Sequence, residues 1–153
     1  AGPFPTAAEE EVATALQERG REFGTVTGRP RRCGWFDAVA MGHVCRLNGV
    51  DSVALTKIDI LADIDPLRIC VAYECDGRRL DGFPADIDTL QRCRPVYQDL
   101  PGFSGALSGI RKPADLPARA REYVEAIEKA IGTDVQLLSV GPERTETITL
   151  RAS

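Results

Sequence analysis

The sequence predicts an α/β fold. Segments with helical periodicity alternate with short apolar runs of strand length, which is the pattern of helices packed against a sheet. The clearest helix, over 116–131, shows one apolar face at Leu116, Ala120, Tyr123, Ile127 and Ile131. Asp76-Gly77, set between two strand-like runs, is a strong signal for a two-residue hairpin turn.

The remaining elements follow in chain order. Thr6-Ala7-Ala8-Glu9 has the form of a capping box, in which hydroxyl and carboxylate satisfy orphan N–H groups. Val12, Ala15 and Leu16 continue at helical spacing and Gly20 is a stop, so a helix is expected over 7–19. A second helix is expected over 36–47, from the stripe Phe36, Val39, Ala40, Val44 and Leu47, and Asn48-Gly49 ends it. The run 52–55 reads as a buried strand, and 67–73 as another, which the hairpin turn leads back over 79–83 until Pro84 stops it. A turn or two of helix is expected over 89–93. Pro95, Pro101, Gly102, Gly105 and Gly109 then mark an irregular stretch. In the helix 116–131, Pro117 falls in the first turn, where its missing N–H is harmless, and Gly132 closes it. A final core strand is expected over 135–138.

Composition narrows the function classes. At 153 residues the chain is long enough for one domain with a real core. Its net charge of −4 argues against a nucleic-acid binder. A basic-loop RNA binder is further disfavoured because aromatic stacking residues are missing near the basic loop. No apolar run approaches the roughly 18–20 residues that span a bilayer, so neither membrane nor nucleic acid is an expected partner. The chain opens Ala1-Gly2-Pro3 without a secretion signal. Five cysteines, Cys33, Cys45, Cys70, Cys75 and Cys93, form no CxxC pair, and with the single His43 they give no zinc spacing. Reduced, structural thiols of a cytoplasmic protein are expected. Trp35 is expected in the core, His43 at a boundary, and Asp63, Asp65, Asp86 and Asp88 as caps or solvated groups.

Three segments can carry chemistry. The first is Gly24-Thr25-Val26-Thr27-Gly28-Arg29-Pro30-Arg31-Arg32, in which three arginines crowd together with no acid between Glu22 and Asp37. Glycines let backbone approach a ligand, Pro30 stiffens the loop, and arginine presents a planar fork for carboxylate or phosphate. The segment is an anion-recognition loop or a solvated basic turn. The second is Thr56-Lys57-Ile58-Asp59, at the carboxyl end of the 52–55 strand, where open α/β sheets place ligands. An aspartate there can accept two hydrogen bonds from guanine, and adenine cannot offer that pair. The plainer alternative is a surface Lys and Asp at a strand end. The third is Ser139-Val140-Gly141-Pro142, again past a strand, either a turn whose N–H groups cradle a base edge or an ordinary turn. Glu143-Arg144-Thr145-Glu146 is expected to be a solvated turn.

These pieces occur in order in one family. Gly2-Pro3-Phe4-Pro5-Thr6, Glu22-Phe23-Gly24, Thr27-Gly28-Arg29-Pro30-Arg31-Arg32, Gly34-Trp35-Phe36-Asp37, Leu55-Thr56-Lys57-Ile58-Asp59, Pro95-Val96-Tyr97, Leu100-Pro101-Gly102 and Gly141-Pro142-Glu143-Arg144-Thr145-Glu146-Thr147 together resemble adenylosuccinate synthetase. The resemblance implies the C-terminal part of a P-loop-like, mostly parallel sheet domain with flanking helices and a β-hairpin, spanning 1–153. It implies a GTP-dependent ligase of AMP biosynthesis, a cytoplasmic homodimer that phosphorylates the 6-oxygen of IMP and then displaces that phosphate with the amine of L-aspartate. It assigns Thr25, Val26, Thr27, Gly28, Arg29, Pro30 and Arg31 to the loop that closes over aspartate, with Arg29 also meeting IMP and Arg31 reaching GTP. Lys57, Ile58, Asp59, Ser139, Val140 and Gly141 would hold the guanine.

Two departures from the family pattern follow. Val26 stands where a threonine is usual. The family's phosphate loop, catalytic aspartate, catalytic histidine and magnesium ligands would lie upstream of Ala1, and His43 does not match the catalytic histidine. A chain with no catalytic residues of its own, inactive alone, is the expectation. Some apolar residues of 36–47 would be exposed without an upstream partner surface. A stand-alone guanine-nucleotide or anion-binding module is the alternative.

Overall fold

A computed structural model describes residues 2–151; Ala1 lies outside them. The elements, in order, are α1 (Glu10–Gly20), β1 (Phe36–Asp37), α2 (Ala38–Asn48), β2 (Ser52–Leu55), β3 (Leu67–Cys75), β4 (Arg78–Arg79), α3 (Ile87–Arg92), β5 (Arg94–Leu100), α4 (Ala118–Ile131), β6 (Asp134–Ser139) and β7 (Thr147–Thr149), with short 3₁₀ turns between some of them. The α/β class holds, and the sheets are mixed. β1 runs parallel to β3, and β2 runs parallel to β6. The pairings β3/β4, β3/β5 and β6/β7 are antiparallel.

The helices form for the reasons the sequence suggests, with corrections at their ends. No capping box forms at Thr6. Thr6 is fully buried, its carbonyl accepts from the Trp35 N–H at 2.9 Å, and α1 begins later, after Glu9. The Glu9 carboxylate is engaged instead by the Trp35 indole and by Arg68. The left-handed residue that stops α1 is Arg21, not Gly20. Phe36 belongs to β1 rather than to α2, whose first turn is capped by Asp37 accepting from the Ala40 N–H at 3.0 Å. Pro117 sits just before α4 rather than inside its first turn. Trp35 is buried as expected, and His43 stacks on Phe83 at 5.3 Å.

Larger corrections fall after the hairpin. Asp76 and Gly77 take φ of 52° and 77°, as a two-residue turn requires, but β4 is only Arg78–Arg79 and does not extend over 79–83. The helical turn expected over 89–93 begins at Ile87, because Asp86 caps it through the Thr89 N–H at 2.7 Å. The stretch around Pro95 is not irregular. It is β5, paired with β3 from Leu67↔Leu100 to Glu74↔Arg94. Among the described residues its other side carries no strand, so the missing Pro95 N–H breaks no ladder.

One core ties the layers together. Leu16 of α1, Leu67 and Ile69 of β3, Ala120, Tyr123, Ile127 and Ile131 of α4, and Val135 and Leu138 of β6 belong to a single buried cluster. Cys70, Tyr73, Cys75 and Cys93 form a smaller cluster at the far end of β3. All five cysteines are free thiols, and burial lifts Cys70 to about 12.

Candidate functional site

The arginine segment is a closed loop held by its own backbone. Phe23 and Pro30 face each other as an antiparallel bridge. The Gly24 N–H donates to the Arg29 carbonyl at 2.8 Å, the Gly28 N–H to the Gly24 carbonyl at 2.8 Å, and the Arg31 N–H to the Glu22 carbonyl at 2.9 Å. Gly28 has φ of 65° with open space where a Cβ would stand, so here glycine serves the turn rather than close packing. Thr25, Val26 and Thr27 form an exposed tip, with Val26 96% exposed.

The three arginines have three different surroundings. Arg32 reaches back to the Gly2 carbonyl at 2.8 Å and lies over the Phe4 ring. Arg31 pairs with Glu22 at 3.2 Å. The exposed Arg29 makes no side-chain hydrogen bond or ion pair among the described residues.

The second segment leaves β2. That strand is half-buried rather than buried, and Ala54 is exposed. Lys57 follows in a left-handed conformation, φ 62°. Its ammonium donates to the Gly20 carbonyl at 2.7 Å, at the carboxyl end of α1 where cations are favoured, and to the other oxygen of Glu22. One carboxylate therefore joins the arginine loop to the Lys57–Asp59 segment. The Lys57 hydrogen bond, backed by its charge and by Arg31, holds the Glu22 carboxyl below the ordinary range. A pocket of about 340 Å³ opens beside this junction, lined by Glu22, Arg31 and Lys57 together with Trp35, Ile58 and Tyr123.

Ile58 is buried, and Asp59 is half-buried with Oδ1 shielded from solvent and without a hydrogen-bond partner. A buried acceptor left unpaired is costly, by about 1–3 kcal/mol. Burial lifts the Asp59 carboxyl above its ordinary range, helped by the charge of Glu146 and opposed by its own backbone N–H and by Lys57.

The third segment stands next to the second. β2 and β6 are parallel neighbours, with Leu55 opposite Leu138, so 56–59 and 139–141 leave the carboxyl ends of adjacent strands. The Ser139 hydroxyl donates to the Gly141 carbonyl at 2.9 Å, and the Val140 N–H to the Glu146 carbonyl at 2.8 Å. The Val140 N–H is thus engaged within the protein rather than exposed. The Glu143–Glu146 stretch is not a solvated turn. Glu143 and Glu146 form a reciprocal capping box, and Glu146 is buried and accepts from the Ser108 hydroxyl at 2.6 Å. Its carboxylate packs so tightly on Gly141 that a Cβ there would come within 2.2 Å of it.

The sequence joins these segments only through the family resemblance, and it gave Glu22, Ser108 and Glu146 no role in the site. For Glu22 a signal existed: it is the acid that borders the arginine cluster on its N-terminal side. For the burial of Glu146 there was none, because its Ser108 partner lies 38 positions away. Among the described residues no three His, Cys, Asp or Glu side chains are grouped to hold a metal ion, and no helix is long and apolar enough to cross a membrane.

The arrangement is an α/β unit with cationic and carboxylate groups gathered at the carboxyl ends of parallel strands. The family model for adenylosuccinate synthetase matches residues 1–148, and the chain belongs to that family. It is 49% identical over 150 residues to an adenylosuccinate synthetase from Desulfatibacillum aliphaticivorans, covering 98% of this chain and 35% of that protein. It is 47% identical over 146 residues to one from Streptococcus gordonii, covering 95% and 34%. The fully ligated adenylosuccinate synthetase from Plasmodium falciparum superposes with a TM-score of 0.93 at 34% identity, over 99% of this chain and 37% of that one. The chain thus spans about a third of the length of the relatives it matches.

Proposed function

We propose that this chain is the C-terminal recognition part of a GTP-dependent ligase that joins L-aspartate to IMP in AMP biosynthesis. Thr25 to Arg31 form the loop over aspartate, with Arg29 on the IMP side and Arg31 on the GTP side. Lys57, Ile58 and Asp59, with Ser139, Val140 and Gly141, hold the guanine. The phosphoryl-transfer groups and the magnesium ligands belong, in this reading, to the part of the complete protein that precedes Ala1, and the complete protein is a cytoplasmic homodimer.

The buried, unpaired Asp59 Oδ1 beside Ser139–Gly141 is the observation that carries the reading. A half-buried carboxylate with one oxygen shielded and unpaired favours a ligand that brings two parallel N–H donors, which guanine does through N1–H and its exocyclic amine. Adenine presents a lone pair where guanine has N1–H, so it would leave the carboxylate opposed by an acceptor. Arg29 and Arg31 act by positioning anions rather than by transferring protons.

The test is Asp59→Asn in the complete protein. An amide reverses one hydrogen bond, so GTP use should fall about 10-fold or more, the scale of one charge-assisted hydrogen bond, while xanthosine triphosphate becomes the better substrate. An unchanged nucleotide preference would remove Asp59 from the guanine site. A stand-alone nucleotide-binding module is disfavoured by membership in the synthetase family over 1–148.

A further inference from the structure

We infer that Glu22 is a positioning residue that couples the aspartate loop to the nucleotide site. This rests on the reading of Arg31 and Lys57 as nucleotide contacts, and it adds a residue that acts through them. One oxygen of Glu22 holds the Arg31 guanidinium at 3.2 Å and the other holds the Lys57 ammonium. The Arg31 backbone is tied into the loop and to α1: its N–H is bonded to the Glu22 carbonyl, and its carbonyl accepts from the Gln17 amide at 2.9 Å. Lys57 is pinned a second time by the Gly20 carbonyl. The Arg31 guanidinium is therefore the part of this network able to move, since it is 59% exposed and Glu22 is its one anionic partner among the described residues.

A phosphate that draws Arg31 outward has to take it from Glu22. The loop between Gly24 and Arg31 is closed by short backbone bonds, so a pull on the released Arg31 side chain is passed to the loop as a whole. Nucleotide binding thus changes the loop that meets aspartate. Without the Glu22 charge, Arg31 is unheld whether or not nucleotide is bound, and the loop no longer registers the difference. Linkage makes the effect reciprocal between the two ligands.

The experiment measures the KM for aspartate in the complete protein with GTP well below and well above its own KM. Saturating GTP should lower the aspartate KM by about 5-fold or more, the lower end of usual coupling strengths. In Glu22→Gln that ratio should fall close to one. Glu22→Asp keeps the charge with a shorter reach and should give an intermediate ratio. A merely structural Glu22 would instead lower kcat, or raise both KM values together, and leave the ratio intact. A wild-type ratio in Glu22→Gln overturns the inference, as does a ratio of one in the unaltered protein. If Glu22→Gln does not fold, a wild-type ratio in Glu22→Asp overturns it. Nucleotide preference in Asp59→Asn separates the two levels: a switched preference with unchanged coupling sinks the role of Glu22 alone.

Discussion

At the scale of single residues, the site divides into groups already committed to the protein and groups held in reserve. Arg32 and Lys57 are committed, through the Gly2 and Gly20 carbonyls. Arg29 and the Asp59 Oδ1 atom are in reserve, one exposed and the other buried. For Arg29, removal should cost the fold almost nothing, within about 0.5 kcal/mol as for an ordinary surface change. Arg29→Ala in the complete protein should therefore keep its denaturation midpoint while the KM values for aspartate and IMP rise strongly. Unfolding without a separate kinetic effect would make the loop structural.

Asp59 behaves in the opposite way. Its carboxyl lies above the ordinary range because of burial, so the folded state binds this proton more tightly than the unfolded chain does. Stability from this group is present at low pH and is lost as pH rises through the raised value. Asp59→Asn should thus raise the thermal midpoint at neutral pH, and the gain should vanish below the ordinary aspartate range. If Asp59 reads guanine as proposed, the substitution that spoils recognition should also stabilise the protein, which is the trade expected of a functional group held in a costly environment.

At the scale of elements, Asp37 shows how one side chain sets two of them. One oxygen caps α2 and the other accepts the buried Tyr73 hydroxyl from β3. Asp37→Ala removes the cap and strands that hydroxyl, so a loss of about 2–3 kcal/mol is expected in urea denaturation. Tyr73→Phe should soften the loss, so the two together cost less than their sum. A purely additive pair would show that the hydroxyl finds another partner.

Elements whose signals are local were legible in the sequence. The α4 stripe, the Gly49 and Gly132 stops and the Asp76-Gly77 turn all depend on residues within one turn of each other. β1, β5 and β7 were not legible. β1 and β7 are only two and three residues long, and β5 carries Pro95, so each is a strand because of the partner beside it rather than its own pattern. The false capping box at Thr6 has the same origin, since the Trp35 indole and Arg68 outcompete the helix for Glu9. The candidate site was legible residue by residue only as segments, which the family resemblance alone joined. Its junction is Glu22, whose two partners lie 9 and 35 positions away.

At the scale of the whole molecule, a continuous core coexists with surfaces that look unfinished. Leu16, Ile69, Tyr123, Ile127 and Leu138 share one buried cluster, while Val44 and Leu47 of α2 stand 46% and 72% exposed. In the proposed reading the groups of the site all serve recognition: Arg29 and Arg31 attract anions, and Lys57 and Asp59 hold a base. Such groups would orient ligands, and orientation accelerates only a reaction whose attacking and leaving groups are also served. The chain by itself should therefore bind guanine nucleotide weakly and turn nothing over. Incubation of the pure chain with GTP, IMP, aspartate and magnesium, followed by chromatography of the nucleotides, should give no adenylosuccinate and no GDP above the background without protein. A calorimetric titration with GDP should show weak binding that Asp59→Ala abolishes. Adenylosuccinate formation would place catalytic groups within residues 1–153, and GDP binding indifferent to Asp59 would move the base away from the carboxyl ends of β2 and β6.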